Sequence, residues 1–138
     1  MSDWGPYLYI GVSLLSVLIT TGITIYAWRQ RQVASAGAFA RMLTSGLVML
    51  WSGLFRNIVP PTSPLLTPIH DLSLLSVIIT PLFWLSFTLD YSGHSDWLTR
   101  RRLLALSFVP ALSILVLLTN PLHGWFYREI DFYRVGFV

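Results

Sequence analysis

A chain of 138 residues in which 54% are apolar, only 11% are charged and the mean hydropathy is +0.65 is too apolar for an ordinary soluble domain. Its net charge of +3 rests on nine arginines and no lysine, and these cluster at the ends of apolar runs, which excludes a broad cationic face for nucleic acid. The absence of cysteine excludes disulfides and thiolate metal sites.

The opening MSDWGPY carries an acid and no basic residue, so it lacks the n-region of a cleaved signal peptide. The first helix, expected over residues 7–28, is therefore retained and is long enough to cross roughly 30 Å of hydrocarbon. Ser13, Ser16, Thr20 and Thr24 fall at helical spacing on it, a small-residue stripe that suits packing against another helix better than binding a ligand. A basic turn with Arg29 and Arg31 follows, with Arg41 just inside the second helix, expected over 39–58. There Ser45 with Ser52, and Gly46 with Gly53, recur at seven residues and predict another close contact surface. Arg56 stands near the end of this helix, and the uncharged, proline-rich NIVPPTSPLLTP closes it.

A third helix is expected over 69–90, with His70 and Asp71 in its first turn, Pro81 near its middle and Gly93 as a C-terminal cap. The loop from His94 leads through Arg100, Arg101 and Arg102 to a fourth helix over 103–118, with Pro110 inside and Thr119-Asn120-Pro121 as its stop. Pro81 and Pro110 each free a backbone carbonyl and predict kinks, static or hinged. The remaining tail, 119–138, is too short and polar to cross again. The expected fold class is all-α: one polytopic membrane domain, 1–138, of four transmembrane helices.

Arginine placement predicts the orientation. The turns after helices one and three hold six of the nine arginines, whereas the N-terminus and the proline-rich connection hold none beyond Arg56 at its edge. Arg29, Arg31, Arg100, Arg101 and Arg102 therefore act as inner topology determinants and leave both termini outside. Trp4 and Trp125 then fall at the outer interface, and Trp28 and Trp97 at the inner one, as amphipathic rings prefer.

The least ordinary feature is Arg56 with Asp71 across a short loop. Ionisable groups near hydrocarbon are costly unless partnered, which suggests an interhelix ion pair. Equally consistent are an Arg56 that snorkels to the headgroups and an Asp71 that favours the positive end of its helix. His70 and His123 are outer-side candidates for a metal or a pH response, but two histidines without clustered carboxylates suit ordinary interfacial hydrogen bonding better. His94 and Asp96 lie on the other side, facing water. No phosphate loop, paired carboxylates or nucleophile beside a base occurs, so neither catalysis nor a cofactor is expected.

From Trp51 to Phe126 the chain resembles the N-terminal seven-transmembrane sensor region of membrane histidine kinases. Trp51, Pro81 followed by FWLSFTLDYSG, the WLTRRR before helix four and TNPLHGWF after it carry the resemblance. It implies a module that senses an external or intramembrane cue and passes it to cytoplasmic PAS and kinase domains, or occasionally to a cyclic-dinucleotide enzyme. Two departures stand out. Only four helices are present, with no output domain, and where the family usually carries Glu in helix two and Lys in helix three this chain has Arg56 and Asp71. A swapped pair preserves a contact while reversing its polarity, which favours a structural pin over a shared ligand site.

The expected function is that of a sensor module of a histidine kinase in the cell membrane, without catalysis of its own. Its partners are the bilayer and further transmembrane helices, not nucleic acid. The alternative is an accessory subunit of a larger membrane complex. A small channel or transporter is disfavoured because no helix shows an inward row of polar groups.

Overall fold

The computed structural model describes residues 4–33 and 35–127. Four long helices, α1 (Trp4–Arg29), α2 (Ala36–Ile58), α3 (Leu66–Tyr91) and α4 (Arg100–Leu118), are followed by a one-turn α5 (Asn120–His123). A single 3₁₀ turn, Ser95–Trp97, precedes α4. No strand occurs among the described residues, and all four long helices are apolar and long enough to span a membrane. α1 and α3, at 26 residues, run about 39 Å, while the 19 residues of α4 cover about 28 Å. The chain is therefore a multi-pass membrane protein.

Each long helix begins about three residues earlier than the hydropathy pattern suggests. The first turn of a helix needs no intrahelical amide donors, so polar residues and proline fit there. Pro68 sits in the first turn of α3, and the arginine run 100–102 forms the first turn of α4, where Thr99 caps the helix by accepting from Arg102 N at 3.4 Å. Three cations at a helix N-terminus oppose the helix dipole, so their placement serves something other than helix stability. Arg102 is held by Trp97, with its guanidinium 4.5 Å from the ring centroid and Nη1 donating to the Trp97 carbonyl at 3.3 Å.

The end of α3 follows expectation. Gly93, at φ +76°, closes a Schellman cap in which His94 N donates to Leu89 O at 2.8 Å and Gly93 N to Asp90 O at 3.2 Å. The Asn120-Pro121 stop does more than predicted. α4 ends at Leu118, but Asn120 and Pro121 then open a new turn of helix, because proline's missing donor costs nothing in a first turn. Pro81 and Pro110 both lie inside continuous helices and line the same crevice between α3 and α4.

The helices run up and down, and α2 is central. It packs most extensively on α3, then on α1, whereas α4 lies more sparsely along α3. Most of the core is small side chains: Ala38, Ala40, Ser45 and Ser52 of α2, Thr24 and Ala27 of α1 and Ser73 and Ser76 of α3 are buried, with Val17, Leu54, Leu66 and Leu117 the larger members. Water does not drive helices together in lipid, so close backbone approach supplies the attraction. The buried hydroxyls satisfy themselves mostly on their own helices, as Thr24 does on Thr20 O at 2.7 Å and Ser52 on Val48 O at 2.8 Å. Two hydroxyl hydrogen bonds cross between helices among the described residues. Trp28 Nε1 donates to Thr44 Oγ1 at 2.9 Å, and Thr80 shares its hydroxyl proton between Ser76 O at 2.6 Å and Ser45 Oγ at 3.0 Å. Leu8, Leu15, Leu18, Ile25, Val109 and Leu118 are among the large apolar side chains on the outside, where lipid is their solvent.

Close approach at Ser45 therefore matters more than its hydroxyl. Ser45→Ala is expected to cost under about 1 kcal/mol, and Ser45→Leu, which forces α2 and α3 apart, about 1–3 kcal/mol. Loss of helical circular dichroism during an SDS titration in neutral micelles checks this order; equal losses would assign the stabilisation to the hydroxyl.

Candidate functional site

Arg56 occupies the last turn of α2, where a cation complements the helix C-terminus. Beyond it the loop 59–65, stiffened by Pro60, Pro61 and Pro64, reverses the chain and brings the start of α3 alongside. Since α3 begins at Leu66, His70 and Asp71 stand in its second turn, not its first. Their side chains face the end of α2 and the segment that follows α4.

No Arg56–Asp71 ion pair is found among the described residues; two other side chains stand between the charges. Arg56 Nη1 lies 3.2 Å from His70 Nδ1. A guanidinium can only donate, so Nδ1 is the acceptor and the imidazole carries its proton on Nε2. Asp71 Oδ1 instead accepts from the Tyr127 hydroxyl at 2.8 Å. The His70 and Tyr127 rings meet edge to face, with centroids 5.8 Å apart at 82°. The line Arg56, His70, Tyr127, Asp71 thus joins opposite charges through two neutral rings. The physical reason is room: a phenol and an imidazole fill the gap and give each charge one partner without dehydrating the two against each other.

Tyr127 is placed by Asn120, which is 5% exposed and uses its whole amide. Its Oδ1 accepts from Phe126 N at 2.8 Å and Tyr127 N at 3.2 Å, and its Nδ2 donates to Tyr127 O at 2.8 Å. His123 braces the same corner. Trp125 N donates to His123 Nδ1 at 3.0 Å, which fixes the proton on Nε2 and lets it donate to Thr119 Oγ1 at 2.9 Å. The threonine passes its own proton to Leu115 O at 2.7 Å. Gly124, at φ +61°, permits the reversal. Block TNPLHGWF is thus a corner in which Thr119, Asn120 and His123 tie the chain after α4 into one shape.

The structure separates the two outer-side histidines by role. His70 meets Arg56 and Tyr127, His123 closes the corner, and no cluster of metal-ligating side chains occurs among the described residues. Arginines 29, 31, 100, 101 and 102, expected as topology determinants, are all exposed at the opposite end of the bundle. Asn120 and Tyr127 are the site residues that sequence reasoning missed. Residues 128–138, including the remaining outer-tail acids and arginines, lie outside the described region.

The model of the family described as the N-terminal 7TM region of histidine kinase matches residues 12–137. The chain belongs to that family. No curated protein and no solved structure matches it. In this histidine-kinase 7TM region the resembling residues acquire physical roles. Gly93 ends α3 in its Schellman cap, Trp97 and Arg102 lock the start of α4, and TNPLHGWF forms the corner after it.

Burial, then the Asp71 carboxylate that accepts its proton, push the Tyr127 phenol above its ordinary value. A raised folded-state value means that this stabilisation is complete below about pH 10 and is lost as pH climbs through the raised value. At neutral pH, Tyr127→Phe is expected to cost about 1 kcal/mol, discounted because the phenol is only half-buried, and Asn120→Ala about 1–3 kcal/mol because it strands several backbone groups. A double-mutant cycle of Tyr127→Phe with Asp71→Asn, read by denaturation in micelles, should give a coupling of about 1 kcal/mol. Strict additivity would show that the bond contributes nothing.

Proposed function

We propose that this chain is the sensing part of a membrane histidine kinase, seated in the cell membrane and without chemistry of its own. It would receive a cue at its outer end or within the bilayer and pass it to a kinase in the same polypeptide or in a partner. The family match over 12–137, which takes in most of α1 and all of α2 to α5, carries this reading. The site gives it a physical route. Arg56 and His70 respond to charge near the end of α2, and the Tyr127–Asp71 bond ties that place to the chain leaving α4. A change at the first contact therefore alters how the second holds the exit of the bundle.

Its partners in this reading are lipid, further transmembrane helices and the kinase. Purification from native membranes in mild detergent, followed by incubation with labelled ATP, tests it. Acid-labile, histidine-linked phosphate on co-migrating material, or on a longer polypeptide containing these peptides, is expected. Fixed stoichiometry with membrane subunits that carry no kinase would overturn the reading in favour of an accessory subunit.

The proposed orientation sets the proline-rich 59–65 loop outside and the arginine-flanked 92–99 loop inside. Because the chain has no cysteine, single substitutions report this cleanly. Ser63→Cys should react with a membrane-impermeant maleimide in intact cells, and Ser95→Cys only after permeabilisation. The reverse pattern would invert the topology.

A further inference from the structure

We infer that a cavity enclosed by α1, α2 and α3 binds a single-chain amphiphile with an anionic head, and that Arg56 receives the head. This gives the sensor reading a ligand class and rests on that reading only for its biological meaning. The cavity measures about 300 Å³, at the lower end of the range for small-molecule sites and too small for a two-chain lipid. Its lining is graded. Tyr9, Arg56 and Ser73 lie toward the end where α2 stops and α3 starts, and Val17, Met49 and Leu50 lie deeper, with Ser16 among them turning its proton back onto Val12 O at 2.8 Å. From Tyr9 to Val17 along α1, and from Arg56 back to Met49 along α2, the wall descends about 10–12 Å. A polar mouth and an apolar floor of that depth match a head and a short tail.

One group at the mouth, Arg56, lacks a partner that its burial calls for. Arg56 uses Nη1 on His70, but its Nε is buried and has no hydrogen-bond partner. Ser73 is 8% exposed, lines the cavity, and makes no hydrogen bond among the described residues. A buried donor without an acceptor is costly, and a carboxylate or phosphate oxygen beside Arg56 and Ser73 would satisfy both. Asp71, the carboxylate nearest in the chain, is already engaged by Tyr127 and forms no ion pair with Arg56. The cation therefore retains its charge for an incoming anion, and it disfavours a metal ion or a cationic ligand. Gly53 confirms that the space is empty of protein, since a Cβ built there meets no atom within 4 Å.

Radiolabelled decanoate, added to the purified chain in uncharged micelles, is the probe. Saturable binding that excess unlabelled decanoate displaces and decanol does not is expected. Arg56→Gln should weaken it about ten- to a hundredfold, as for loss of a charge-assisted contact. Arg56→Gln also disturbs the His70 contact, so Gly53→Leu serves as the second variant. It leaves Arg56 in place, improves helix propensity and fills the cavity, and should abolish binding while the helical signal is retained. Decyl phosphate and the single-chain lysophosphatidylglycerol as competitors distinguish the source of the head: displacement by the lysolipid assigns it to the bilayer, and displacement by the free amphiphiles alone to a soluble ligand. Binding unaffected by both variants, or equal displacement by decanol, would overturn the proposal. That result would leave the sensor reading standing, and absence of a co-purifying kinase would leave this one standing.

Discussion

A polar group that cannot reach water must find its partner inside the protein, and this constraint shapes every departure from plain hydrophobic helix in the molecule. Backbone groups meet it by staying helical, even through Pro81 and Pro110. Buried serines and threonines meet it by folding back onto their own carbonyls. Where α2 ends and α3 begins, the same requirement gathers Arg56, His70, Asp71 and Tyr127, because four side chains with matching donors and acceptors are cheaper together than apart.

The fold was readable because its signals are one-dimensional. Apolar length, proline placement and the Gly93 cap each act within a few residues, so α1 to α4 could be placed from the sequence, with starts displaced by one turn where arginine and proline tolerate helix N-termini. The serine spacing on α2 likewise anticipated its small-residue interface, with Ser45 and Ser52 both buried, whereas Gly46 and Gly53 face open space. The site was harder. Arg56 and Asp71 stand out by charge, but who satisfies them depends on where a segment 56 residues downstream returns, which neither hydropathy nor spacing encodes. Tyr127 reads as one aromatic among many until Asn120 is seen to hold its backbone. Asn-Pro was legible as a stop, not as a grip, because the amide's three bonds all form after the stop.

A sensor and an accessory subunit need the same lipid-compatible exterior, so the outer faces of the helices do not separate them. The end where α2 stops and α3 starts bears on the proposed choice. A half-buried cation with an unsatisfied donor beside a cavity would have a use in the proposed sensing role, where the polar network around it would give an arriving charge a fixed frame to act on.

The uneven packing of α4 has a mechanical consequence. Along its length it touches α3 sparsely, over a crevice where both prolines lie, yet each of its ends is fastened: Trp97 grips Arg102 at one, and the Asn120 corner with Tyr127 on Asp71 anchors the other. A rod pinned at its ends and loose between them stores deformation as bowing. Pressure from the bilayer, or a shift of α3 against α2, would bend α4 like a leaf spring and tilt the Asn120 corner that brackets it.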